Sequence, residues 1–158
     1  MIELDITLSV ADLYDFNLKH AYSRPTSLIA SALGAVGIVY GITKPYLLLA
    51  IVGAMLLFYL PVNLYISCAR RFTLGEAFKA PLHYLLNDDG ITVRQGDQEN
   101  FASWSEVTKA ASSGRSLFLY TGAGNASILP RSQMGDRTTA VIALISEHVD
   151  PKKVKIRF

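Results

Sequence analysis

Apolar and polar positions recur with strand or helix spacing over most of this chain, but between Arg24 and Arg70 the alternation vanishes. One charged residue, Lys44, interrupts that stretch; the runs at residues 25–43 and 45–69 contain no Asp, Glu, Arg, Lys or His. A helix on a soluble core keeps a charged face in water, whereas residues 47–60 are apolar all the way round. At about 1.5 Å of rise per residue the first run is long enough for a hydrocarbon core of about 30 Å, and the second is longer. Thr43-Lys44-Pro45 divides them with a proline suited to a turn or a new helix start. The pattern predicts a transmembrane helical hairpin over 25–69. The competing reading, two buried core helices, asks a chain of 158 residues to cover both on every side.

Ahead of the hairpin, Ile2, Leu4, Ile6 and Leu8 alternate with Glu3, Asp5 and Thr7, the period of a half-buried strand. Ser9 followed by Asp12 sits in capping-box spacing, with Asp where Glu or Gln is usual. The helix so started carries the stripe Leu13, Phe16, Leu18 and Tyr22, with Asp12, Asp15, Lys19 and Arg24 on other faces. It either lies along a membrane surface or packs on the soluble domain, and the two are compatible. Beyond the hairpin, 72–79 reads as a connection that continues the second helix outward. Strands follow at 82–86, 91–94, 99–104, 117–120 and 127–130, separated by turns at Asp89-Gly90, Gly96-Asp97, 112–115 and 122–125. Residues 136–148 return to helical period, with Ala140, Val141, Leu144, Ile145 and His148 on one face and Asp136 placed to cap. The expected organisation is a strand and amphipathic helix (1–24), the hairpin (25–69) and a cytoplasmic domain (70–158). The expected fold is an α+β membrane protein with a small antiparallel sheet or barrel closed by a C-terminal helix.

Within the first run, Ala30, Gly34, Gly37 and Gly41 fall on one helix face at spacings of four, three and four. Small faces let helix backbones approach closely, and packing rather than hydrophobicity drives association in lipid. Ala50, Gly53 and Ala54 offer a matching face in the second run, and another protein is the alternative partner. Pro61 predicts a bend in the second helix, Asn63 either bonds the carbonyl freed there or, as the favoured reading, sits at the interface, and Tyr46, Tyr59 and Tyr65 suit headgroup depth. Lys19, Arg24, Arg70 and Arg71 flank the hairpin while its turn holds only Lys44, which places both termini in the cytoplasm. Cys68, at the inner boundary, is either an acylation site or, as the favoured reading, a small hydrophobe.

Composition narrows the chemistry. A single cysteine excludes a disulfide framework and a cysteine-rich zinc site, and His20, His83 and His148 have no metal-ligand spacing. The net charge of +2 gives no footprint for nucleic acid. The first 24 residues hold four acids, so the first apolar helix reads as a retained anchor rather than a cleaved signal. No serine lies near a histidine in sequence, Gly122-x-Gly124 lacks the context of a phosphate loop, and Asp88-Asp89 is a turn pair. Trp104, the sole tryptophan, reads as core rather than ligand contact. The most suggestive polar feature is the tail, where Lys152, Lys153, Lys155 and Arg157 interleave with Val154, Ile156 and Phe158. These cations are candidates for lipid or partner contact, at about 1 kcal/mol each beside anionic lipid. The favoured alternative makes the tail a strand paired with residues 2–8, whose acids complement it.

Meandering strands followed by one helix resemble the pleckstrin-homology-like fold. The segments DLYDFNLKHAYSR and LNDDGITVRQGDQENFASWSEVTKA, the strand end Leu119-Tyr120 and the element Ile128-x-Pro130-Arg131 resemble the YcxB-like family of small bacterial membrane proteins over nearly the whole chain. The resemblance implies a multi-pass protein of the bacterial inner membrane and carries no chemistry, cofactor or small-molecule substrate with it. Three functions are weighed. The first is a membrane-anchored, non-enzymatic module that presents its cytoplasmic domain to a protein partner, an immunity-type protein being one form. The second is a sensor of anionic lipid, against which the first two strands of the domain offer Arg94 as their one basic residue. A membrane enzyme comes last.

Overall fold

The computed structural model describes residues 1–75, 80–122 and 125–156, and divides into two compact units, Met1–Phe16 with Phe72–Phe158, and Asn17–Arg71. In the first unit, strand β1 (Ile2–Ile6) pairs antiparallel with β2 (Leu82–Leu86), a contact across the whole intervening hairpin sequence. Strands β3 (Gly90–Gln95) and β4 (Gln98–Ser103) complete a sheet of order β1-β2-β3-β4. The period of two works as expected. Leu4, Ile6, Tyr84, Leu86 and Ile91 are buried, while Glu3 and Asp5 are exposed. Asn87 closes the β2–β3 turn, its side-chain oxygen accepting from the Asp89 and Gly90 amides at 3.1 and 2.9 Å.

The second sheet has the order β7-β6-β5-β8, built from β5 (Lys109–Ser112), β6 (Ser116–Tyr120), β7 (Ala126–Pro130) and β8 (Val154–Lys155). The chain is therefore α+β with two four-stranded sheets, and no closed barrel forms among the described residues. The reason is local. After β4 the chain turns through a 3-10 segment at Trp104–Glu106, where the Glu106 carboxylate accepts from the Ser103 amide at 2.8 Å. The ladder stops there, and β5 pairs with β6 and β8 instead. A phenol links the sheets: Tyr84 of β2 is hydrogen-bonded to the Ser127 side chain and the Ile128 backbone of β7, and burial pushes its pKa above the usual value.

Helix α1 (Val10–Tyr22) begins at the expected box, with Ser9 N–H donating to Asp12 Oδ2 at 3.0 Å and Asp12 N–H to Ser9 Oγ at 3.3 Å. Asp12 does more than cap. It is 3% exposed and also accepts from Arg115 Nε at 3.1 Å, while Ser113 Oγ donates to Asp15 at 2.5 Å. Phe16 meets Phe118 edge-on at 5.4 Å. The first half of α1 thus packs on the β5–β6 hairpin, so the two acids read as facing elsewhere point into it. After β7 come a short helix, α4 (Arg131–Met134), and α5 (Arg137–His148). Val141, Ile142 and Ile145 of α5 are buried, whereas Ala140 is exposed. Asp136 does not cap: Gly135 makes the turn at φ +52°, and Asp136 already has helical backbone angles.

In the second unit, α2 (Pro25–Thr43) and α3 (Leu47–Leu74) are each long and apolar enough to cross a membrane. Tyr40 and Tyr46 stack across their turn, with centroids 6.2 Å apart. Helix α3 continues through Pro61 to Leu74. The extension read at 72–79 lies partly outside the described residues, since 76–79 are not described. The helices touch along small residues. A Cβ at Gly34 would stand 2.8 Å from Gly53 O, and one at Gly53 would stand 2.7 Å from Gly34 O. At Gly41 it would overlap the backbone of Ala50, and at Gly37 it would lie 3.3 Å from Gly53 Cα. Ala30 is half-buried. Away from this seam the side chains face outward, with Leu48 75% and Ile42 72% exposed.

Two outcomes follow. Gly41→Val should cost about 1–3 kcal/mol by overpacking and lower the unfolding midpoint of the full chain in detergent micelles, with Gly37→Ala markedly milder; equal effects would contradict the seam. Asp12→Ala strips the Ser9 amide and Arg115 of their acceptor and should cost about 2 kcal/mol. Denaturant unfolding followed by Trp104 fluorescence reads it, and an unchanged midpoint would contradict the role assigned to Asp12.

Candidate functional site

The residues singled out in the sequence fall in separate places. Gly34, Gly37 and Gly41 lie on the α2–α3 seam just described. Lys152 and Lys153 lie in a 3-10 turn at Pro151–Lys153, Lys155 is on β8, and Arg157 lies outside the described residues. Asp150 caps the turn by accepting from the Lys152 amide at 2.9 Å, and Lys153 Nζ reaches Val107 O at 3.4 Å. The tail does form a strand, but not with residues 2–8. β1 is already taken by β2, and β8 runs parallel to β5 through Ala110↔Val154 and Ala111↔Lys155. Small alanines on β5 accept this neighbour, and Lys109 on the same strand lies over the Tyr120 ring at 5.5 Å. Lys109, Lys152, Lys153 and Lys155 are thereby gathered on the β5–β8 side of the second sheet.

Residues read as chemically neutral have defined structural duties. Trp104 is 6% exposed, donates from Nε1 to Asn87 O at 2.9 Å and stacks on His148 at 5.5 Å. Cys68 is 2% exposed and accepts a 3.5 Å contact from Asn17 Nδ2. Ser113 Oγ, besides bonding Asp15, accepts from the amides of Arg115 and Ser116 at 3.0 Å each, so its hydroxyl is committed to the turn. Among the described residues no cluster of three His, Cys, Asp or Glu side chains could hold a metal.

The sequence reading missed the outer face of the first sheet. The register sets Asp5, His83, Arg94 and Glu99 in one row across four strands. His83 Nδ1 lies 2.5 Å from Asp5 Oδ1, and Arg94 Nε donates to Glu99 at 2.9 Å. The next row runs Glu3, Leu85, Thr92 and Phe101. Phe101 is 58% exposed although its ring leans across Gly90, 2.9 Å from where a Cβ would stand. The signal was present: Glu99 and Phe101 share one strand face, opposite the polar and small Asn100 and Ala102.

The two edges of this sheet differ. Along β1, Gln133 of α4 accepts from the Thr7 amide and donates to the Thr7 carbonyl, both at 2.8 Å, and Arg137 of α5 donates to Glu3 O. Side chains there stand in for a neighbouring strand. Along β4, residues 98–101 are exposed, and the Ser103 amide, directed away from β3, donates to Glu106.

No curated protein and no solved structure matches this chain. A family model does, over residues 86–145, from the last residue of β2 into α5. The match is shorter than the resemblance expected over nearly the whole chain, and it leaves α2 and α3 aside. Over residues 86–145, which carry this open edge, part of this face and part of α5, the chain matches the model of the YcxB-like protein family.

Proposed function

We propose that this protein is a membrane-anchored, non-enzymatic interaction module of the bacterial inner membrane. Helices α2 and α3 span the bilayer with both termini cytoplasmic, and the two-sheet unit is a pleckstrin-homology-like domain that engages a protein partner. The observation that carries the anchoring is the exposure of apolar side chains around both helices, from Leu28 at 54% to Leu48 at 75%; burying such surface in lipid is favourable on transfer scales. Support for the domain reading comes from strand order, a four-stranded antiparallel meander, then β5–β7, then α5 with Val141, Ile142 and Ile145 buried. An immunity-type role is one form of such a module.

A second reading, an anionic-lipid sensor, is favoured by the grouping of Lys109, Lys152, Lys153 and Lys155. Purification of the full chain from native membranes in mild detergent separates the two. A stoichiometric protein partner is expected. A chain that comes away alone, and whose residues 152–155 gain hydrogen-exchange protection in anionic but not zwitterionic vesicles, overturns the first reading in favour of the second. Sidedness has its own test. Lys44→Cys should react with a membrane-impermeant maleimide in intact cells and Glu147→Cys only after permeabilisation; the reverse pattern would invert the topology.

A further inference from the structure

We infer that the free edge of β4 is a docking site for an extended, basic segment of a protein partner, added to the first sheet as a fifth strand. The inference rests on the module reading above and names the chemistry of its partner.

Antiparallel pairing directs every second residue's amide and carbonyl away from the neighbouring strand. The Ser103 amide points outward to Glu106, so by alternation those of Glu99 and Phe101 do too, and among the described residues no group accepts from them. Open edges are normally blunted. This protein blunts the other edge of the same sheet with Gln133 and Arg137, and Tyr84 occupies part of β7. The β4 edge bears an exposed aromatic, Phe101 at 58%.

Charge selects the occupant. Residues 95–108 contain Asp97, Glu99 and Glu106 and no lysine or arginine, and Asp88-Asp89 stands at the Ser103 end, where Gly90 pairs with Ser103. Arg94, opposite Glu99 in the ladder, is ion-paired with it. A strand laid here would place one set of alternate side chains beside Glu99 and Phe101. The pattern that fits is a basic residue, then two positions on an aliphatic or aromatic one, then a basic residue again, with main-chain bonds supplying affinity and the side chains specificity. Membrane lipid offers no backbone to continue the ladder, which excludes it from this edge.

The test uses the full chain in a neutral detergent at low salt and a fluorescent peptide, Lys-Thr-Val-Thr-Lys-Thr-Val, read by anisotropy. Saturable binding is expected. Glutamate in place of lysine should weaken binding by roughly tenfold or more, and so should N-methylation of the backbone amides that would meet β4. Phe101→Ala and Glu99→Gln should each weaken it severalfold while Trp104 fluorescence and the unfolding midpoint report an intact fold. Absence of saturable binding overturns the proposal. So does an acidic or N-methylated peptide that binds as well as the parent, or an intact variant that binds unchanged. A native partner that stays on the Phe101→Ala chain during purification also sinks the strand docking while leaving the module reading in place.

Discussion

Apolar side chains are disfavoured in water, and backbone amides are disfavoured in hydrocarbon unless bonded within their own segment. Helices α2 and α3 satisfy the second demand through their own helical bonds and fail the first over most of their surface away from their shared seam. Gly34, Gly41, Ala50 and Gly53 are buried there, and the large side chains, Leu28, Ile42, Leu48 and Met55 among them, point away from protein. The small residues let the two backbones touch, so the contact consumes little of the apolar surface. What remains is the apolar surface on which the proposed anchoring rests.

In the first unit, two sheets must be held together with few residues. Burial of Leu4, Ile6, Leu86, Leu117, Phe118, Leu129, Val141 and Ile145 supplies the non-directional part. Direction comes from polar links placed where elements of distant sequence meet. Asp12 and Asp15 fix the start of α1 to the β5–β6 hairpin, Gln133 and Arg137 close β1, and Tyr84 reaches β7. Most are side chains satisfying backbone or buried polar groups, the arrangement in which losing one partner costs more than the bond itself contributes. The edge of β4 is left out of this scheme.

Much of this architecture was legible in the residues because the relevant signals are local. The apolar runs, the Ser9–Asp12 box, the Asp89-Gly90 turn and the alternation in residues 2–8 each act within a few positions. What escaped depends on partners far away in sequence. β5 is Lys109-Ala-Ala-Ser, with no β-branched or aromatic residue to mark it, and it is a strand because β6 and β8 flank it. The tail's alternation marked a strand but could not choose its neighbour, and charge complementarity pointed to β1, where β2 was already seated. Asp136 looked like a cap, yet Gly135 turned the chain one residue earlier. The row Asp5–His83–Arg94–Glu99 and the exposure of Phe101 needed a four-strand register that no single window contains.

The medium that surrounds α2 and α3 decides the anchoring. Sedimentation velocity of the full-length chain after complete removal of detergent and lipid measures this directly. If a bilayer is the native solvent, the protein should leave solution as heterogeneous aggregate, and return to a uniform species only when detergent micelles or lipid discs are restored. A sharp monomer boundary in plain buffer, with α2 and α3 protected from solvent exchange, would contradict it.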